Sequence, residues 1–226
     1  KFLTVMDVSY RKYPELLLQA YFEEFRHDPD VLLIFKGYTG GADESSVTYV
    51  KDLIKQYKEK AQSKAEVLFL SGFLSDHLFA PLHRSAHVFV NTSRGEGWSL
   101  PVLQSMACGV PCIMPKHSSH LDFGYDTIYT KTKFTKQNCL WVDVKEVEIT
   151  DRKFLTDDSR FIGHSWWEPQ LDSLKKQMRW AYEHQSELKT IGQQAHQDVQ
   201  EFSWKHTARK IVGQCAKFAH GHEVIV

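Results

Sequence analysis

The sequence predicts an α/β fold, a parallel β-sheet with helices on both of its faces. Three observations support it. Short runs rich in β-branched and large apolar residues alternate with stretches whose apolar residues recur at three- and four-residue steps, the period of a one-sided helix. The runs are apolar nearly throughout, as strands covered on both faces are. The connections are short, and parallel neighbours then need a helix as the crossover between them.

The elements follow in order. Residues 2–8, FLTVMDV, form a strand pattern. In RKYPELLLQAYFEEF, Pro14 suits a helix's first turn, Glu15 favours the same end, and Leu17, Tyr21 and Phe25 make one apolar stripe. VLLIFKG (31–37) is a buried strand and YTGGADESS a loop. SVTYVKDLIKQYKEKAQ is an amphipathic helix built on Val47, Val50, Leu53, Ile54 and Tyr57. EVLFLSG (66–72) is a strand, and Ser75 stands where it caps DHLFAPLHRSA, with Leu78, Leu82 and Ser85/Ala86 on the inner face despite Pro81. HVFVNTS (87–93) is a strand, LPVLQSMAC a helix and PCIMP a strand. Residues 119–165 are less regular, with short strands expected around YDTIYTK and CLWVDVKEVEI. From WEPQLDSLKKQMRWAYEHQ onward the pattern is helical, through a second helix near 187–200 and a third capped by Ser203.

Bulk properties narrow the function. A chain of 226 residues with 42% hydrophobic residues suffices for one α/β domain, or one domain with an appended subdomain. Lys+Arg 28 balance Asp+Glu 28, so no basic field points to nucleic acid as a partner. No apolar run reaches membrane-span length and no secretory signal opens the chain, which favours a cytoplasmic location, peripheral to a membrane only through some other part. Cys108, Cys112, Cys139 and Cys215 fit neither a redox nor a metal spacing and are expected to be small core hydrophobes in a reducing compartment. The chain opens directly in a buried strand, which suggests a domain cut from something longer.

A parallel sheet binds ligands outside the carboxyl ends of its strands. GYTGG, GFLSD, NTSRGEGWS and PKHSSH fall there. In the third of these Glu96 stands between Gly95 and Gly97, just before a helix. Glycines allow close backbone approach, and the exposed amides of Gly97, Trp98 and Ser99 with the helix dipole suit an anion. A carboxylate beside such a site suits hydroxyls or an amide on a phosphorylated ligand. From local chemistry alone, a solvated Glu in a capped turn is an equal reading.

GEGWSLPVLQSMACGVPCI is similar to the signature of the retaining family-four (group 1) glycosyltransferases, which have the two-domain GT-B fold. The likeness extends over RKYPELLLQAY, VLLIFKG, VLFLSGFLSDHLFAPLHRSAHVFVNTS and a closing FSWKHTARKI, in the same order. What the chain resembles is the C-terminal, donor-binding half of that fold, a Rossmann-like parallel sheet with a helical C-terminal tail. The resemblance implies one nucleotide-sugar-binding domain over 1–226, its last helices (about 166–218) packing on it or toward an N-terminal domain. It also implies that Glu96 contacts hydroxyls of the donor sugar, and that the position eight residues on holds the nucleotide's ribose. That position is Gln104 where the family has a second Glu. An amide can bridge two hydroxyls, one as donor and one as acceptor, at a cost of about 1 kcal/mol relative to a carboxylate.

By the same resemblance, Lys12 neutralises the donor diphosphate. The family's usual earlier arginine is replaced by Asp7, and Arg11 is the candidate for the missing cation. Leu100 belongs with Gly97, Trp98 and Ser99 to the helix start that cradles the ligand, and the turn at Gly72, Phe73 and Leu74 resembles the segment that meets the nucleobase. Lys36 and Gly37 end a strand at the ligand edge, where Lys36 either reaches a phosphate or sugar or is simply exposed. His117 and His120 have no third ligand nearby and read as a loop pair rather than zinc ligands. Asp122 is a weak candidate for a sugar contact, and Trp166 and Trp167 either stack on a sugar or pack in the core. No cofactor and no metal are expected: there is no GxGxxG after the first strand, no Walker loop and no Asp-x-Asp motif.

The expected function is therefore retaining glycosyl transfer from a nucleotide-sugar donor to a glycan, lipid or protein acceptor, completed by an N-terminal domain outside this chain. The isolated domain is expected to bind donor without transferring it. A non-catalytic binding or scaffold module with a drifted signature is the alternative, favoured by Gln104, Asp7 and Tyr13 before Pro14. A phosphosugar isomerase or epimerase on the same architecture is a third class.

Overall fold

A computed structural model describes residues 1–38, 44–125, 136–149 and 162–219. Six strands, β1 (Phe2–Asp7), β2 (Leu32–Tyr38), β3 (Glu66–Leu70), β4 (Val88–Val90), β5 (Cys112–Pro115) and β6 (Leu140–Val142), form one parallel sheet. Their order is β3-β2-β1-β4-β5-β6. The order reverses between β1 and β4, so the loops leaving these two strands diverge and open a crevice at the sheet's carboxyl edge. The expected parallel, doubly covered sheet is what forms.

Alternation along the strands feeds two cores. Phe2 and Met6 of β1 and Leu33 and Phe35 of β2 pack with α1 (Pro14–Glu24), α2 (Glu44–Ala61) and α6 (Leu171–Glu183), through Leu17, Tyr21, Val50, Leu174 and Met178. Leu3 and Val5 of β1 and Ile34 of β2 join the opposite core, with Val102, Leu103 and Met106 of α4 (Leu100–Ala107). The hydroxyl of Tyr21 donates to the carbonyls of Val31 and Glu66, so this core tyrosine satisfies its polar tip. α7 (Gln185–Asp198) lies so close to the turn entering β5 that a Cβ on Gly192 would come 2.3 Å from the carbonyl oxygen of Gly109. Only glycine fits there.

Four expectations change. In α3 (Asp76–Arg84), Leu78 is 43% exposed, and the inner side is held by His83 and the following Ala86, with His83 stacked on Phe89 at 5.6 Å. Leu82 and Ala86 pack inward as expected, while Leu78 and Ser85 are exposed and His83 joins the inner side. Ser75 takes the N-cap position of α3 without a capping bond from its hydroxyl. Ser165–Pro169 is not the start of a helix but β8, antiparallel to β7 (Val144–Glu148), and α6 begins only at Leu171. Cys215 is exposed on α8 (Trp204–Ala219), and Cys108 is only half-buried, whereas Cys112 and Cys139 are in the core. Beyond Tyr125, the strand expected over YDTIYTK lies outside the described residues.

The late helices otherwise follow the pattern. A single 3-10 turn, Val199–Phe202, separates α7 from α8, and Ser203 accepts a hydrogen bond from the amide of His206 in a true N-cap. α8 presents Trp204, Ile211, Val212 and Phe218 to solvent. α5 (His120–Phe123) is a single turn after β5. Among the described residues, no helix is long and apolar enough to cross a membrane.

Candidate functional site

Lys12 closes the loop after β1, and Glu96 lies in the loop after β4. The crossover of the sheet brings them together at the crevice. The Lys12 ammonium lies 2.6 Å from Glu96 Oε1, and Arg11 Nη1 lies 3.5 Å from Oε2 while donating to the carbonyl of Gly95 at 2.5 Å. The Glu96 side chain is only 5% exposed and that of Lys12 12%, whereas Arg11 remains 37% exposed. Burial alone would raise the Glu96 pKa. The charge and hydrogen bond of Lys12, with a smaller contribution from Arg11, outweigh it and hold the carboxyl below the usual range.

Several groups fix this arrangement. Asn91, at the exit of β4, donates from Nδ2 to Glu96 Oε1 at 3.3 Å, and its Oδ1 accepts from the amide of Ser93. The Thr92 hydroxyl bridges the carbonyls of Lys12 and Tyr13. Arg94, 4% exposed, crosses from one loop into the other. Its guanidinium lies between the rings of Tyr10 (3.9 Å) and Tyr13 (3.3 Å), donates to the Tyr10 carbonyl and pairs with Glu168 of β8 at 2.9 Å. The clamp gives Tyr13 a role: its ring carries Arg94, and its backbone adopts the left-handed region at φ 55. Trp166 covers the same loop, 3.7 Å from where a Gly95 Cβ would stand.

Beneath the loop, His117 donates from Nε2 to the carbonyl of Ser93 and His120 from Nδ1 to that of Pro115, since a carbonyl can only accept. Each nitrogen so used carries the proton, and both imidazoles are kept neutral: burial lowers the pKa of His117 and brings that of His120 to about 4. The pair is an anchor, with no group of three metal-ligating side chains among the described residues.

The other candidates are spread along the carboxyl edge. Gly97 is open on its Cβ side, Trp98 is 39% exposed with its edge on Phe123 and Phe202, and Ser99 is buried at φ 58 as N-cap of α4. Leu100 and Gln104, one turn apart on α4, both face solvent. Phe73, after β3, is 99% exposed and Leu74 half-buried. Lys36 is not exposed: its ammonium donates to the carbonyls of Gly72 (2.6 Å) and Gly37 and sits over the Tyr38 ring, and burial lowers its pKa. A Cβ on Gly37 would come 2.9 Å from the Phe69 ring, so a larger residue there would push the ring aside. Asp7 is exposed at the end of β1. The structure thus brings Arg11, Lys12 and Glu96 into contact and ties Lys36 to the turn before Phe73. Arg94 and Glu168 carry no local signal because their partners stand 84 and 74 residues away, whereas the partners of Asn91, Ser93 and Glu96, lie in its own loop and carry no spacing pattern that marks them.

The arrangement combines a buried carboxylate kept ionised, two cations beside it and the backbone of a helix start. A lysine ammonium has three donors, so Lys12 can hold Glu96 and still meet an anion. Such a site suits a ligand that is both hydroxylated and phosphorylated.

Comparison with known proteins bears on the fold and the family. Over 81 residues the chain is 33% identical to the O-antigen chain mannosyltransferase B of Escherichia coli, a stretch that covers 36% of this chain and 19% of that protein. In fold it is similar to a glycosyltransferase of Rickettsia africae, with TM-score 0.67 and 14% identity over 98% of this chain and 48% of that one. It is also similar to Anabaena Alr3699/HepE, solved in complex with UDP-glucose, with TM-score 0.65 and 17% identity over 96% of this chain and 48% of that one. A third match is the C-terminal domain of the group 1 family protein LpcC of Francisella tularensis, with TM-score 0.59 and 17% identity over 88% of this chain and 84% of that one. The chain therefore spans about half the length of the first two of these structures and a smaller part of the mannosyltransferase. Residues 1–125, more than half of the 226, match the family model of the glycosyl transferases group 1. The chain belongs to that family and has the fold of the C-terminal domain of a GT-B glycosyltransferase.

Proposed function

We propose that the chain is the donor-binding domain of a retaining glycosyltransferase and holds a nucleoside diphosphate sugar in the crevice between the ends of β1 and β4. The observation that carries this reading is the buried Glu96 carboxylate, kept ionised 2.6 Å from Lys12 at the switch point of a parallel sheet. Glu96 accepts from hydroxyls of the donor sugar. Lys12 and Arg11 neutralise the diphosphate, whose charge grows as it leaves in the transition state. The amides of Gly97, Trp98, Ser99 and Leu100 cradle the anion, Gln104 bridges the ribose hydroxyls, and Phe73 and Leu74 flank the base. Lys36 and Gly37 act one step back by shaping the turn that carries Phe73. The Anabaena relative was solved with UDP-glucose, which makes UDP and its sugars the first donors to try.

The acceptor, a glycan, lipid or protein, is proposed to bind mainly on an N-terminal domain, against which the exposed apolar side of α8 would pack. Donor binding without efficient transfer is the expected behaviour of the 226 residues alone. Two observations favour a non-catalytic binding module as the second reading: Gln104 is an amide, and Asp7 puts an exposed negative charge at the end of β1, beside the proposed diphosphate site. A thermal-shift panel of UDP, GDP, ADP and their sugars tests donor binding. A ligand at ~100 times its dissociation constant stabilises by roughly 2.7 kcal/mol, and stabilisation by at least one nucleotide is expected. No shift across the panel would sink the donor reading.

A further inference from the structure

Trp166 and Trp167 are neighbours on β8 and therefore point to opposite sides of the strand. Trp166 is 9% exposed and turned to the site loop, against Gly95 and with its edge on Tyr10 at 6.3 Å. Trp167 is 43% exposed, although its own amide donates to the carbonyl of Arg94 at 3.3 Å, two residues before Glu96. The strand that carries it is fastened by the Arg94–Glu168 pair, with Arg94 almost fully buried, so the indole stands on a rigid backbone. A large aromatic surface left in water beside a ligand crevice, with its backbone bonded to the loop of that crevice, is ready to be covered by a ligand. The side of β8 on which it lies faces away from Gly95, so it does not serve the sugar that Glu96 would hold.

We propose that Trp167 is a stacking platform for a second pyranose, a sugar of the acceptor glycan. The C–H face of the ring covers the indole, and the ring's hydroxyls remain in water or meet neighbouring polar groups. The inference rests on the donor reading of the crevice, since a glycan is expected there only if sugar is transferred. Its consequence is that this hairpin supplies part of the acceptor site from the donor domain itself.

The test uses the chain with 15N-labelled tryptophan and follows the indole N–H signals while adding methyl α-D-mannopyranoside, methyl α-D-glucopyranoside or methyl β-D-galactopyranoside. Trp167→Phe assigns the Trp167 signal by its disappearance. The expected result is a saturable shift of that signal with at least one glycoside. Trp167→Ala weakens that glycoside's binding at least fivefold, read by saturation-transfer on the glycoside itself, and Trp167→Phe retains most of it. Nucleotide binding, measured in parallel by thermal shift, is expected to be the same in all three proteins. An unmoved Trp167 signal at the highest soluble glycoside concentration overturns the platform, as does unchanged glycoside affinity in Trp167→Ala. Loss of nucleotide binding in the unaltered chain would instead sink the donor reading, so the two failures are distinguishable.

Discussion

Glu96 stays charged where burial opposes it because Lys12 lies 2.6 Å away. Removing that partner, as in Lys12→Met, leaves the carboxylate with Arg11 at 3.5 Å and Asn91 at 3.3 Å. The Glu96 pKa should then rise, and affinity for a nucleoside diphosphate should fall about ten- to a hundredfold, the worth of one charge-assisted hydrogen bond. Gln104→Glu restores an acceptor for both ribose hydroxyls and should tighten nucleotide binding by about fivefold. Calorimetric titration reads both, and unchanged affinity in the Gln104 variant would detach that residue from the ribose. Glu96 stood out in the sequence because a strand, a glycine-flanked carboxylate and a helix start follow one another locally, whereas Lys12 and Arg11 were singled out by the family resemblance. Asn91 and Arg94 were not. The partners of Arg94 stand 84 and 74 residues away, and only the crossover brings them to it.

At the scale of elements, strand–helix alternation predicted the main sheet well, because each strand is covered on both faces and so is apolar throughout. The β7–β8 hairpin was missed at its second strand. It lies outside that sheet, and its WWEP segment runs straight into an amphipathic helix, so the helical period masked the strand. The hairpin matters to the site through Glu168. Arg94→Met should lower stability by about 2 kcal/mol, below the usual 3–5 kcal/mol for a broken buried pair because Glu168 is 30% exposed. Urea denaturation measures this, and a loss under 0.5 kcal/mol would show that the clamp is incidental. The inner face of α3 was read correctly at Leu82 and Ala86 and wrongly at Leu78 and Ser85. Leu78 is a stronger apolar signal than His83, yet His83 is the side chain that stacks on Phe89.

On the scale of the molecule, three buried imidazoles make stability depend on pH. Desolvation brings the pKa of His83 and of His120 to about 4 and lowers that of His117, and neither ring nitrogen of His83 has a hydrogen-bond partner among the described residues. Between about 4 and the ordinary histidine value near 6.5, the unfolded chain binds more protons than the folded one, so stability falls as pH drops through that window. Glu96 works at the acid end: its contribution is present above the ordinary carboxyl value and is lost as pH falls through its depressed one. The melting temperature should therefore decline from pH 6.5 to 4, with a shallower decline in His83→Leu. A flat profile would mean that these rings are not buried as neutral groups. The most direct test of the account is calorimetric titration of the chain and its Glu96→Gln variant with UDP and UDP-glucose. Both proteins are expected to bind UDP within about threefold of one another, and only the unaltered chain to gain affinity from the glucose. Equal affinity of the two proteins for UDP-glucose, with UDP bound by both, would contradict the assignment of Glu96 to the donor sugar.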